Sequence, residues 1–410
     1  MINQPTLRLS IFLLGLLLVS CENVQKVEFE TYVDTTSKEI KKQPKKTFVI
    51  NELGVSASNL FDGARLNNFS RLNDSTVVAF VEPENTPINN SAYFAFDIWA
   101  EDEKPIYIQF KYPEGYEHRY HPKIKTHDTW SILDSSKVVS KIDTAYTIRL
   151  DLSKEKMTIA AQEVHSSATV RSWYTKLAET HSSKVEVKII GSSTLGKDMV
   201  VLDISNGTVK DKPIIVLLTR QHPPEVTGYF AFREFLKTIL SDQISDSFLE
   251  KYHVLAFPLM NPDGVDLGHW RHNAGGVDTN RDWSQYNQPE IKTVVTYITQ
   301  QSKKNNAKIV LGLDFHSTWY DIFYTNKKRE GTTLPTFVSD WFTALESNIP
   351  NYKVNEAPGN SKKPVSKGWF LYGHNATGIT YEIGDETPRD KIQQIGKVSA
   401  QQMMQILLKE

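Results

Sequence analysis

An α/β domain whose sheet is covered by helices on both faces, preceded by an antiparallel β-sandwich, is the fold class that this 410-residue sequence predicts. Three observations carry the expectation. Between about residues 49 and 163, short runs with period-two alternation are separated by turn residues. From about 164 onward, continuous apolar runs alternate with stretches of helical period. The composition, 40% hydrophobic and 11% aromatic, can fill sizeable cores and excludes a disordered chain. Forty-seven basic against 48 acidic residues lack the excess of a nucleic-acid binder. A single cysteine excludes an internal disulfide and a cysteine-built metal site, so any metal chemistry must use histidine and carboxylate.

Residues 1–20, MINQPTLRLSIFLLGLLLVS, have the pattern of a secretory signal. Their apolar run, Ile11 to Val19, is shorter than the roughly 20 residues that span a bilayer. It ends at Leu18-Val19-Ser20-Cys21, which resembles the lipobox of bacterial lipoproteins. That resemblance implies cleavage before Cys21, acylation of this cysteine and stable anchoring in the bacterial cell envelope. Residues 21–48 include Lys38-Glu39-Ile40-Lys41-Lys42-Gln43-Pro44-Lys45-Lys46 and read as a solvated tether.

In the predicted sandwich, 49–163, the strand signals are Ser75–Val81, Ala92–Trp99, Ile106–Tyr112 and Tyr146–Leu152. His118, His121 and His127 have no acidic partner at helical spacing and read as structural or surface histidines. In 164–410 the apolar runs are Pro213–Leu218, Val254–Leu259, Ile309–Phe315 and Gly378–Ile383. Helical patterns cover Val226–Leu240, Pro289–Thr299, Leu334–Leu345 and Lys391–Leu408.

Ligands of open α/β sheets bind beyond the carboxyl ends of the strands. Pro213–Leu218 leads into His222-Pro223-Pro224-Glu225, Ile309–Phe315 delivers His316, and Gly378–Ile383 holds Glu382 near its end. A lone His-x-x-acid pair is uninformative, since this composition makes about one by chance. Its placement says more. Two histidines and one glutamate at strand ends form the donor set of a catalytic zinc site, one Zn2+ per chain, with a fourth position open. Glu382 is then free to act as a base.

Residues 165–410 resemble the zinc metallocarboxypeptidases of the carboxypeptidase A type, on several blocks in family order. These are Arg220-Gln221-His222-Pro223-Pro224-Glu225, Asn261-Pro262-Asp263-Gly264, Trp270-Arg271-His272-Asn273, Gly276-Val277-Asp278-Thr279-Asn280-Arg281-Asp282-Trp283, His316, and Thr380-Tyr381-Glu382-Ile383-Gly384. The resemblance implies a mixed sheet and hydrolysis of C-terminal peptide bonds in substrates with a free carboxylate. It also implies zinc on His222, Glu225 and His316, and Glu382 as general base then acid. Arg271 would stabilise the oxyanion, Asn280 and Arg281 would grip the terminal carboxylate, and Asp278 would orient His222. Arg281 could instead pair with Asp278 or Asp282. The family's mobile tyrosine, about 22 residues before the glutamate, falls at Asn360, and Tyr372 stands too close. Aligning Trp369 places Lys367 where terminal-residue preference is set, which implies an acidic side chain. Asp128-Thr129-Trp130 and Arg171-Ser172-Trp173-Tyr174 resemble the sandwich and its approach in cytosolic-type carboxypeptidases.

Two alternatives stay open from sequence: an amidase or carboxypeptidase acting on cell-wall peptides, and a peptide- or glycan-binding lipoprotein without turnover. No Gly-x-Ser-x-Gly elbow supports a serine hydrolase.

Overall fold

The computed structural model of the chain describes residues 24–142 and 145–410. The signal segment and Cys21 lie outside the described residues. Among them, no helix is long and apolar enough to cross a membrane.

The N-terminal half is a sandwich of two sheets. One sheet orders Thr47–Ile50, Val55–Ser58, Ala95–Ala100, Met157–Ala160, Lys123–Thr126 and Thr129–Ile132. The other orders Asn68–Arg71, Thr76–Phe80, Lys104–Lys111, Ala145–Leu152 and Val138–Ile142. Alternation explains the strands: in Lys104–Lys111 the residues Ile106, Ile108 and Phe110 face the core, while those between them are less buried. One pairing departs from the antiparallel expectation, because Thr76–Phe80 runs parallel to Lys104–Lys111. Period-two patterning fixes which face is buried, not the direction of the neighbour, so this pair was invisible in the sequence. His118 stacks on Tyr146 with ring centroids 3.7 Å apart, His121 Nε2 lies 2.6 Å from the Leu133 carbonyl, and His127 is exposed beside Glu155.

The C-terminal half carries an eight-stranded mixed sheet. Its order is Val185–Ser192, Asp198–Ile204, His253–Phe257, Ile214–Thr219, Ile309–Thr318, Thr377–Gly384, Ile322–Thr325 and Glu356–Pro358. The four strands His253–Phe257, Ile214–Thr219, Ile309–Thr318 and Thr377–Gly384 are mutually parallel. They are buried on both faces, which is why they read as continuous apolar runs. Ile215 and Leu217 pack with helices Val226–Ser241, Phe337–Asn348 and Arg389–Lys409. Ile214, Val216 and Leu218 pack on the other face with Pro289–Lys304 and Ser366–His374.

The stretch read as a solvated tether needs correction. From Val24 onward it is pinned across both halves. Val27 packs under Trp369 in a core, Thr31 donates its N–H to the Lys362 carbonyl at 2.8 Å, and Lys38 to that of Gly275 at 2.8 Å. Thr35 is fully buried against Asp282, and Gln43 donates to the Ala64 and Leu267 carbonyls at 2.6 and 3.1 Å. Lys38, Lys41, Lys42 and Lys46 do remain exposed, whereas Lys45 donates to the Asn59 and Phe61 carbonyls at 2.9 and 3.0 Å. The docking residues between them follow no period, so composition alone suggested a linker.

Helix Val226–Ser241 crosses the strand Ile309–Thr318 at Gly228, where a Cβ would sit 2.2 Å from the His316 carbonyl oxygen. The glycine brings Glu225, at the helix start, against His316. Gly228→Ala gains helix propensity of about 1 kcal/mol but overlaps backbone. We expect a net loss of about 1–3 kcal/mol in denaturant unfolding, together with weakened zinc retention.

Candidate active site

Strand Ile214–Thr219 ends at Arg220, whose positive φ of 58° turns the chain out of the sheet. Arg220 is buried and donates to the Pro223 carbonyl at 2.9 Å, fixing the loop that carries His222 and Glu225. Strand Ile309–Thr318 presents Asp314 and His316, two apart and therefore on one face. His316 lies in register with Glu382 of the adjacent parallel strand. Three strand ends thus converge.

The two imidazoles meet at one carboxylate. His222 Nδ1 lies 2.8 Å from Glu225 Oε1, His316 Nδ1 lies 2.6 Å from Oε2, and the two Nδ1 atoms are 3.2 Å apart. Each distal nitrogen faces another carboxylate: His222 Nε2 sits 3.0 Å from Asp278, and His316 Nε2 sits 2.9 Å from Asp314. Asp314 also accepts from Gln221 and Ser366, both at 2.5 Å. These partners leave the Nδ1 atoms as the metal donors. Zinc–ligand bonds of about 2.0–2.2 Å put tetrahedral donor atoms roughly 3.3 Å apart, so the set needs little adjustment to take the ion. Among the described residues this is the histidine–carboxylate group gathered closely enough to hold a metal.

Burial disfavours charge on Glu225, His316 and Asp278, yet the pairing of each overrides it. His222 and His316 hold the Glu225 carboxyl well below its ordinary range despite burial. Asp314 and Glu225 keep the His316 imidazole well above its own, again against burial. Arg271, then His222, hold Asp278 far down. Glu382 goes the other way: burial, then the nearby Glu225 carboxylate, push it up to about 8. Its Oε2 is buried without a hydrogen-bond partner.

Around this centre lies a cavity of about 370 Å³, lined in part by Arg271, Arg281, Lys367 and Glu382. Arg271 Nε donates to Asp278 Oδ2 at 2.7 Å. Its loop is held from the sandwich: the buried Glu84 carboxylate accepts the backbone N–H groups of Trp270, Arg271 and His272 at 2.7, 3.0 and 2.6 Å. Asn280 Oδ1 accepts from the Ser366 N–H at 2.9 Å. Arg281 donates to the Asn280 carbonyl at 2.9 Å, and its pairing with Asp278 is a loose 3.8 Å. Lys367 donates to the carbonyls of Thr325 and Gly359 at 2.9 and 2.6 Å, and burial lowers its pKa to about 8. No tyrosine from the Asn360 loop enters; Asn360 accepts from the Lys328 N–H, and Tyr372 donates to the Ser361 carbonyl and packs edge-on against Phe29. Tyr324, from the strand beside Glu382, lines the cavity instead.

Every sequence-predicted site residue within the described range thus gathers at one cavity and the hydrogen bonds beneath it. The sequence reading missed Asp314 and Glu84. Asp314 had a signal, an acid two places before His316 inside an apolar run. Glu84 had none.

A sequence profile of the zinc carboxypeptidase family matches residues 170–402, more than half of the chain. Cytosolic carboxypeptidase 6 of Caenorhabditis elegans is 30% identical over 125 residues, which are 29% of this chain and 27% of that protein. The match therefore spans only about a quarter of the relative's length. Two solved structures share the fold: a metallo-carboxypeptidase from Burkholderia cenocepacia (TM-score 0.71, 15% identity, 87% of this chain and 98% of that one) and one from Pseudomonas aeruginosa in complex with (2-guanidinoethylmercapto)succinic acid (TM-score 0.67, 17% identity, 86% and 98%). With its two imidazoles and one carboxylate closing the ends of parallel strands, the chain belongs to the zinc carboxypeptidase family.

Proposed function

We propose that the protein removes single C-terminal residues from peptides, holding one zinc on His222, Glu225 and His316, with Glu382 as the proton-transfer group. The observation that carries this reading is the convergence of both Nδ1 atoms on Glu225 in the same cavity as the unpartnered Glu382. When bound, zinc supplies Lewis acidity at the scissile carbonyl and acidifies the attacking water. Glu382 takes the water's proton and returns it to the departing amine; its raised pKa suits a group that must do both. Arg271, fixed by Asp278 and at the cavity wall, offers its guanidinium to the oxyanion. Arg281 remains half-exposed and weakly paired, so a terminal carboxylate can take it bidentately, with Asn280 beside it.

Lys367 supports an acidic preference at the terminal side chain. An ammonium has three donors, and two are spent on carbonyls. The third, buried and with no facing carboxylate to lower its cost, favours an anionic partner. The same chemistry would accept the acidic residues of cell-wall peptides. We further propose that Cys21 carries a lipid that holds the enzyme at the bacterial envelope, because it is the one cysteine and ends the apolar leader.

The zinc-loaded full chain, incubated with a peptide library that includes cell-wall peptides and followed by mass spectrometry, is expected to release single C-terminal residues. Glu382→Gln should slow release about 10²–10⁴-fold with zinc still bound. Absence of cleavage from every peptide would overturn the reading, and cleavage confined to cell-wall peptides would assign the substrate. Asp314→Asn removes the anion behind His316, and chelator competition should show zinc affinity about 10–100-fold weaker. The kcat/KM ratio of glutamate- to leucine-terminated peptides should fall as pH rises through about 8, where Lys367 loses its proton; a flat ratio excludes that role. Cys21→Ala should move the protein from the membrane to the soluble fraction and abolish fatty-acid labelling.

A further inference from the structure

The sandwich half reaches into the catalytic cavity. Arg119 leaves the loop after Lys104–Lys111, crosses the interface, and lines the same cavity as His222, Glu225 and Glu382. Its Nε donates to Asp385 at 2.9 Å, three residues beyond Glu382, in an ion pair whose side chains are only 8% and 5% exposed. Asp385 is itself tied to the strand of His316 through its N–H on the Thr318 carbonyl at 2.7 Å. The arginine's Nη1 makes longer bonds to Ser91 Oγ and the Asn90 carbonyl at 3.2 and 3.5 Å. The guanidinium lies over the rings of Tyr120 and Trp319 at 4.9 and 5.2 Å, and its Nη2 is buried with no hydrogen-bond partner. A guanidinium held this deep with an unused donor is costly unless something completes it.

Position indicates what that is. The groups suited to a terminal carboxylate, Asn280, Arg281 and Lys367, form a connected wall through the Asn280–Ser366 hydrogen bond. Arg119 lines the cavity with Thr318, while Asp385, bonded to both, stands behind them in the adjoining cavity with Trp319 and Glu386. A peptide whose terminus lies at Arg281 and whose scissile carbonyl lies at the metal triad has the rest of its chain to place along Arg119 and Thr318. Charge indicates the acceptor. Asp385 already neutralises Arg119, and Glu225 and Glu382 stand in the same cavity, so a second carboxylate gains little there. A neutral backbone carbonyl gains the most.

We propose that Arg119 is a substrate-anchoring residue, its Nη2 donating to a backbone carbonyl upstream of the scissile bond, so that the sandwich completes the peptide-binding site. This rests on the carboxypeptidase reading. It makes the enzyme sensitive to substrate length rather than to an upstream charge.

The test compares alanyl-alanyl-alanyl-glutamate with alanyl-glutamate on the zinc-loaded full chain. Arg119→Met should lower kcat/KM for the longer peptide about 10–100-fold and change that of the dipeptide less than threefold. Because this variant strands Asp385 without a partner, the double variant Arg119→Met with Asp385→Leu is made as well. It should melt close to the wild type and show the same length-dependent loss. Calorimetric binding of both peptides to Glu382→Gln, with and without Arg119→Met, separates the two ideas. Weaker binding of the tetrapeptide alone supports Arg119 even where turnover is absent. Equal losses on both peptides, no loss on either, or failure of the tetrapeptide to outbind the dipeptide with Arg119 intact would overturn the proposal. Hydrolysis that persists through those outcomes would leave the carboxypeptidase reading standing alone.

Discussion

A single carboxylate, Glu225, is shared by two buried imidazoles, and the rest of the molecule is arranged around the cost of keeping it there. Carboxylates out of water are tolerated only when paired and hydrogen-bonded. Glu225 has His222 and His316, those rings have Asp278 and Asp314, and Asp278 has Arg271. The chain of pairs still holds more carboxylates than fixed cations once Glu382 is included. A divalent cation among the Nδ1 and Oε donors corrects that imbalance, so the electrostatics and the donor geometry ask for the same ion. They also bear on Glu382, which burial and then the neighbouring Glu225 carboxylate push toward its neutral form.

That arrangement needs two domains. The loop from Trp270 to Arg281 supplies Arg271, Asp278, Asn280 and Arg281, yet contains little regular structure to fix it. Its start is held by the sandwich. Trp270 is fully buried in the sandwich core and donates its indole N–H to the Tyr93 carbonyl at 2.9 Å. Glu84 collects three successive backbone N–H groups of the same loop, satisfying buried donors that have no helix or sheet partner. The sandwich is therefore a support for Arg271 and the loop that carries it before it is anything else.

Much of this was legible in the sequence because it is local. Continuous apolar runs marked the parallel strands, and strand ends marked where His222, Glu225, His316 and Glu382 would converge. What stayed hidden depends on distance along the chain. Glu84 acts on residues 186–188 positions away, and no period links them. Asp314 was masked by its apolar neighbours, although its spacing from His316 placed both on one face. The segment from Val24 to Lys46 looked like a linker because its docking residues are interspersed with solvated lysines. The parallel pair in the sandwich was hidden because alternation reports burial and not strand direction. Each failure is one of tertiary pairing, which local pattern does not encode.

A net charge of -1 over 410 residues says nothing of how the charge is placed. The carboxylates of the site lie beneath the surface, hydrogen-bonded to the imidazoles and to Arg271, while Arg271, Arg281 and Lys367 reach the cavity wall. Low-dielectric walls concentrate such a field in the cleft. On the proposed function, these cations suit the terminal carboxylate of a peptide that enters the cavity of the metal triad. The order of capture matters, because a carboxylate captured by the metal donors would occupy the position that the scissile carbonyl requires. On that same reading Arg281, the more exposed and the more loosely paired of the two arginines, is the one that would take the carboxylate first. Its weak tie to Asp278 is what leaves it available.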